Sequence, residues 1–156
     1  MYLPKKEELW FRELFLSDKD TMSYNHAWGG TIAFPMGEWD EWYNHWVINA
    51  NNKRFYRYLI DSTTNEFVGE VAYHFDGKCY LADIIVYSKY RGRGFGKEGL
   101  ILLCEYAKSV GIKELYDDIA IDNPAIKLFL DLGFKEEYRT DKIIMLKKST
   151  FTYNSL

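Results

Sequence analysis

The sequence predicts a single α/β (α+β) domain with a mixed, mostly antiparallel sheet and helices on both faces. Three observations carry this. Between residues 54 and 87 three strand-like runs follow one another with short turns. Residues 97–110 and 123–132 then show helical periodicity on either side of a further strand. Hydrophobic residues make up 47% of the 156 and charged residues 28%, a globular balance of a length that fits one core, so 1–156 is expected to be one domain.

From the N-terminus, "LWFRELFL" (9–16) alternates loosely and reads as a strand. "SDKD" (17–20) offers N-caps for a short helix to about Trp28. "GGT" (29–31) and "FPMG" (34–37) break the chain into a loop over 29–37. In "EWDEWYNHWVINA" (38–50), Trp39, Trp42, Trp46 and Ala50 recur at helical spacing.

"RFYRYLID" (54–61), "EFVGEVAYHF" (66–75) and "CYLADIIVY" (79–87) are strands separated by "STTN" and "DGK", so an antiparallel meander is expected, with Asp76-Gly77 at its second turn. The third run is apolar at almost every position, as in a strand covered on both faces. In 97–110, Leu100, Leu103, Cys104, Ala107 and Val110 form one stripe, and Gly111 stops the helix. "ELYDDIAI" (114–121) is a strand. Asn123-Pro124 caps and opens a helix that ends before Gly133, and "KIIMLKK" (142–148) is the last strand. The expected order is β-α-α-β-β-β-α-β-α-β.

Composition narrows the partners. The net charge is −3, so there is no basic excess to neutralise nucleic-acid phosphates. No apolar run reaches membrane-spanning length, and the N-terminus does not read as a signal peptide. The two cysteines, Cys79 and Cys104, form no disulfide framework and fit a reducing, cytoplasmic setting. His26, His45 and His74 lack metal-ligand spacing, so no metal is expected. The chain is expected to be a monomer or homodimer.

The motif with chemistry in it is "YRGRGFG" (90–96), between a buried strand and a helix. A lone turn needs one glycine rather than three. The spacing is not G-x-G-x-x-G, and Gly96-Lys97 is followed by Glu98 rather than the Ser or Thr of a P-loop. Consecutive backbone N–H groups leading into a helix N-terminus make an anion cradle, with Arg91 and Arg93 as rim cations.

Arg91-Gly92-Arg93-Gly94-Phe95-Gly96 resembles the acyl-CoA signature of the GNAT superfamily of N-acetyltransferases. The resemblance covers residues 54–134 and includes "IIV" (84–86) before the loop and "AIDNPAIKLFLDLGF" (120–134) after it. It implies acetyl-CoA as co-substrate, held by the amides of Arg91, Gly92, Arg93, Gly94, Phe95, Gly96 and Lys97. It further implies that the backbone of Ile84, Ile85 and Val86 pairs with the pantetheine arm, which requires strand 79–87 to splay from strand 114–121. Asn123 resembles a family asparagine that bonds the same arm; a plain helix N-cap explains it equally.

The activity implied is transfer of an acetyl group to a primary amine of a small, cationic acceptor by direct attack. The alternatives are a non-catalytic acyl-CoA-binding or sensor domain, or an acetyltransferase acting on protein N-termini or lysines. Direct attack requires a base for the amine. Asp83, a carboxylate inside an apolar strand, is the first candidate, against a structural pairing with Arg54 or Arg57. Glu70 is the second. Many family members place a tyrosine acid where this chain has Phe129, and Tyr80, Tyr87 and Tyr116 are alternatives. The acceptor pocket is expected from 27–46, where four of the five tryptophans lie beside Glu38, Asp40 and Glu41; Trp28, Trp39 and Asp40 are the candidate contacts.

Overall fold

The computed structural model describes residues 1–26 and 29–151. Among the described residues four α-helices and six strands follow in the order α1 (Trp10–Ser17), α2 (Trp39–Tyr43), β1 (Arg54–Ile60), β2 (Phe67–Phe75), β3 (Tyr80–Val86), α3 (Phe95–Ser109), β4 (Glu114–Ala120), α4 (Ala125–Asp131), β5 (Lys135–Arg139) and β6 (Ile143–Ser149). The strands form one sheet in the order β1-β2-β3-β4-β6-β5. Every neighbouring pair is antiparallel except β3 and β4, which are parallel. Among the described residues no helix is long and apolar enough to cross a membrane.

Alternation along the strands separates two cores. On β1, Phe55 and Leu59 join α3 and α4 through Leu100, Leu103 and Phe129. Tyr56 and Tyr58 face the other way, onto Leu9, Phe11, Phe15 and Trp39. Helices therefore cover both faces, as expected from the sequence.

The N-terminal region departs from the sequence reading in two places. Residues 9–16 are not a strand but a short 3-10 turn leading into α1. Leu9, Phe11, Phe15 and Leu16 are buried while Trp10 and Leu14 are exposed, a helical rather than two-residue period. The only extended pairing here is Tyr2 against Tyr58, beside β1. The helix expected after 17–20 does not form over residues 18–25, which run as turns and irregular chain; residues 27 and 28 of that expectation lie outside the described residues. Asp18 does accept from the Thr21 N–H and hydroxyl, but it also accepts from the Ser88 hydroxyl at 2.6 Å, and Thr21 Oγ1 accepts from the Ser88 N–H. The cap is spent on tying residues 18–21 to the end of β3, and the chain continues as turns.

Residues 36–48 hold a 3-10 turn, α2 and a π-turn (Asn44–Ile48). β5, "KEEYR", escapes sequence patterning because all its residues are exposed; pairing with β6 alone makes it a strand.

Candidate active site

The two parallel strands at the centre of the sheet come apart. Leu81 and Tyr116 are their one registered pair, and beyond it β3 and β4 diverge. A cavity of about 700 Å³ opens between Asp83–Val86 and Asp117–Ala120, with Met22, Tyr24, the glycine loop, Asn123 and Phe129 among its walls. β3 keeps its ladder to β2 on one side and presents a free backbone edge on the other. Such an edge can accept an added extended segment.

The glycine loop closes one end. Gly92 and Gly94 have φ of 75° and 87°, the left-handed region, and α3 starts at Phe95. A Cβ on either glycine would meet nothing within 4 Å, so backbone conformation rather than local crowding requires them. No described acceptor takes the N–H groups of Gly92 through Lys97. Consecutive unsatisfied amides at the start of a 15-residue helix make a nest for an anion. The arginines serve differently from the free rim cations expected. Arg91 donates to the carbonyls of Asp20 (2.9 Å) and Thr21 (2.7 Å), fastening the loop to the 18–21 turn. Arg93 lies 3.5 Å from Asp61 and against the rings of Tyr90 and Phe95. Lys97, on the first turn of α3, makes no ion pair among the described residues.

At the other end lies a pair of carboxyls. Glu70 on β2 and Asp83 on β3 share a sheet face, and each carboxyl shifts the proton affinity of the other. Glu70 is 2% exposed, whereas Asp83 has open surface that faces the cavity. Burial and the neighbouring Asp83 push the Glu70 carboxyl up to about 7, against the opposing charge of Arg12. Desolvation between the cavity walls raises Asp83 too, with Glu70 and Arg12 opposing and Asp118 adding to the effect. Neither Arg54 nor Arg57 is the partner. Arg54 donates to the carbonyls of His45 and Asn49, and Arg57 donates to the Tyr56 carbonyl and covers Phe55.

Arg12, from α1, supplies the cation instead. Its Nε lies 3.6 Å from Glu70 Oε2. Its guanidinium stacks between Phe34 (4.5 Å) and Trp42 (4.4 Å), close to Tyr56 (5.8 Å). Arg12 Nε, Tyr56 OH and Glu70 Oε2 are buried without a hydrogen-bond partner among the described residues. A polar nest left this incomplete suits a site that completes it with water or substrate.

Residues 12–134 match the model of the Acetyltransferase (GNAT) family, and the splayed strands and glycine loop lie within that span. The chain belongs to the GNAT family. As a GNAT protein it is an acyltransferase with acetyl-CoA as co-substrate. It is 29% identical over 119 residues to the uncharacterized N-acetyltransferase YycN of Bacillus subtilis, covering 76% of this chain and 69% of that one. Its fold is that of the spermidine N-acetyltransferase from Vibrio cholerae, solved with CoA and spermine. That TM-score is 0.80 at 20% identity, over 96% of this chain and 94% of that one. The ribosomal-protein-alanine N-acetyltransferase from Brucella melitensis aligns at a TM-score of 0.74 and 20% identity, over 94% and 96% of the two chains.

Other expected positions of this GNAT domain fall in several places. Asn123 lines the cavity, but its Oδ1 accepts the Ala125 N–H at 2.9 Å, so it is an N-cap whose amide NH₂ remains free to donate among the described residues. Phe129 lines the cavity and is 1% exposed, packed edge-on against Phe134. Of the tyrosines, Tyr24 and Tyr90 reach the cavity rather than Tyr80, Tyr87 or Tyr116, and Tyr90 donates to Glu66. The expected acceptor contacts are not brought there. Trp39 is buried in the α1–α2 core with its indole N–H donated to the Phe34 carbonyl, and Asp40 pairs on the surface with Lys6. Trp28 lies outside the described residues. Sequence reasoning passed over Arg12 and Asp117, whose signals were an arginine and an aspartate inside apolar runs.

Proposed function

We propose that this protein transfers an acetyl group from acetyl-CoA to the primary amine of a small cationic acceptor, by direct attack within the splayed cavity. The observation that carries this reading is the juxtaposition of a free strand edge, a loop of unsatisfied amides and the Asp83 carboxyl around one cavity, with the buried Glu70 behind Asp83.

Acetyl-CoA supplies an activated thioester. The amides of Gly92 to Lys97 suit its pyrophosphate; the Arg91 N–H, expected to join them, is instead donated to the Ser88 carbonyl at 3.2 Å, and the Arg91 and Arg93 side chains shape the loop rather than contact the anion. The free edge of Ile84, Ile85 and Val86 suits the pantetheine arm, and the Asn123 side-chain NH₂ is a further donor for it.

The attacking amine must lose a proton. Asp83 faces the cavity and takes it, and Glu70, behind it on the same sheet face, is the next carboxyl. A base of this kind contributes about 10²–10⁴-fold when its pKa lies near the working pH. Backbone N–H groups on the free edge near Val86 stabilise the oxygen of the acetyl carbonyl as it gains charge.

Asp83 and Asp118 line the cavity and favour an ammonium-bearing acceptor. A panel including spermidine, spermine, monoamines and peptides with a free N-terminal alanine tests the reading, with thiol release from acetyl-CoA as the signal. Turnover confined to the cationic small amines is expected. Turnover with peptides alone moves the acceptor to proteins, and turnover with none of them refutes the small-amine reading.

A further inference from the structure

The sheet carries one buried acid that the steps above leave idle. Asp117 is 8% exposed, on a strand in the middle of the protein. Among the described residues it makes no ion pair and no side-chain-to-side-chain hydrogen bond. An aspartate so placed is costly to keep unless it does something. It is one residue past Tyr116, at the vertex where β3 and β4 part, and it lines the cavity.

Its direction follows from strand alternation. Leu115 and Ile119 belong to the core that contains Phe129, so Asp117 between them faces the same side. Asp118 turns to the opposite face, with Asp83. The vertex thus has two acidic sides: Glu70 and Asp83 on one, and Asp117, on the same side as Phe129, on the other. Phe129 cannot donate a proton, and Asp117 shares its wall of the cavity.

Resting on the acetyl-transfer reading, we propose that Asp117 is the general acid of this enzyme, protonating the sulfur of CoA as the thioester breaks. The amine nitrogen bonds to the carbonyl carbon, the C–S bond breaks, and its electron pair goes to sulfur with the Asp117 proton. The amine's proton goes to Asp83. Asp117 is reprotonated from Asp83 or solvent, so the acid–base pair ends unchanged and the products are the amide and the thiol.

The surroundings keep the proton on Asp117. Burial raises its affinity most, and the charges of Asp83 from β3 and Asp118 on its own strand raise it further. The other elements against it offer no counter-charge: β6 pairs Leu146 with it, and α4 brings Leu128 and Phe129 to the same cavity.

Two measurements test this. In the wild-type protein, carbon NMR of the Asp117 carboxyl should show the protonated form at neutral pH, with or without CoA bound. An ionised carboxyl there overturns the proposal, whether or not any amine is turned over. In Asp117→Asn, calorimetry should give an unchanged affinity for CoA, while kcat with the best acceptor falls on the order of 10²-fold and the alkaline limb of its pH profile disappears. Asp83→Asn should instead lose the acidic limb and keep the alkaline one. Wild-type kcat and an intact alkaline limb in Asp117→Asn overturn the assignment while leaving the acetyl-transfer reading in place. Absence of turnover by the wild-type protein with every amine sinks that underlying reading instead.

Discussion

Leu81 on β3 and Tyr116 on β4 are the single registered pair between two parallel strands at the centre of the sheet. The pair acts as a hinge point of the architecture: on one side the sheet is continuous, and on the other its two halves part around the cavity. Asp83 and Asp118 each stand two residues beyond it, and Asp117 stands between, so the acidic groups gather where the strands begin to separate.

With Asp83 as the proposed base and Glu70 beside it, the reaction is expected to depend on pH. With Glu70 raised to about 7, the pair gains its base form as pH rises through neutrality, so kcat/KM should rise with pH there. Arg12 lowers both carboxyls, and removing its charge should raise them. Arg12→Gln is therefore expected to move the acidic limb to higher pH, and Arg12→Lys to move it less. A pH profile of kcat/KM checks this; an unmoved limb contradicts the role of Arg12.

Asp117→Asn should stabilise the fold. On the proposal that Asp117 is protonated in the fold, the native state holds a proton that the unfolded chain releases above about pH 3.9, so native stability falls as pH rises past that point until Asp117 ionises in the fold. Each pH unit in that window costs about 1.4 kcal/mol, and a neutral asparagine removes the cost. Urea midpoints should rise more for the variant over wild type at neutral than at acidic pH. A gain that does not grow with pH would speak against a protonated Asp117.

Gly69 sits on β2, where a Cβ would lie 2.3 Å from the Ile85 carbonyl oxygen. The obstacle is backbone, which cannot rotate away. Gly69→Ala should cost at the upper end of about 1–3 kcal/mol by forcing β2 from β3, visible as a lowered urea midpoint. It should also disturb Glu70, the next residue, and reduce activity.

Arg91 holds the glycine loop to residues 20 and 21 through two carbonyls. Arg91→Ala should weaken CoA binding with a smaller effect on kcat, and destabilise the fold by about 1 kcal/mol. Calorimetry with CoA provides the check. If Arg93→Ala weakens binding more, the loop is organised from its Asp61 side instead.

The glycine loop and the helix it opens were legible in the sequence because they are built locally. Positive φ at Gly92 and Gly94, a helix start at Phe95 and an apolar strand before them are short-range requirements, and they leave their mark within a few residues. The meander β1–β3 was legible for the same reason, since strand period and turn residues are local. The base candidates Asp83 and Glu70 stood out because a carboxylate in an apolar run is anomalous wherever the run packs.

What only the tertiary structure decided rests on contacts distant in sequence. Residues 9–16 carry an ambiguous apolar pattern, and burial against Tyr56 and Tyr58 selects the helix. β5 has no pattern and exists through β6. Arg12 reaches Glu70 across 58 positions of sequence, and Trp39 is turned inward by the core rather than toward a substrate. The free edge of β3, and the carboxyls gathered beside it, arise from the way two halves of a sheet diverge. Divergence is a relation between strands, and no single strand's residues encode it.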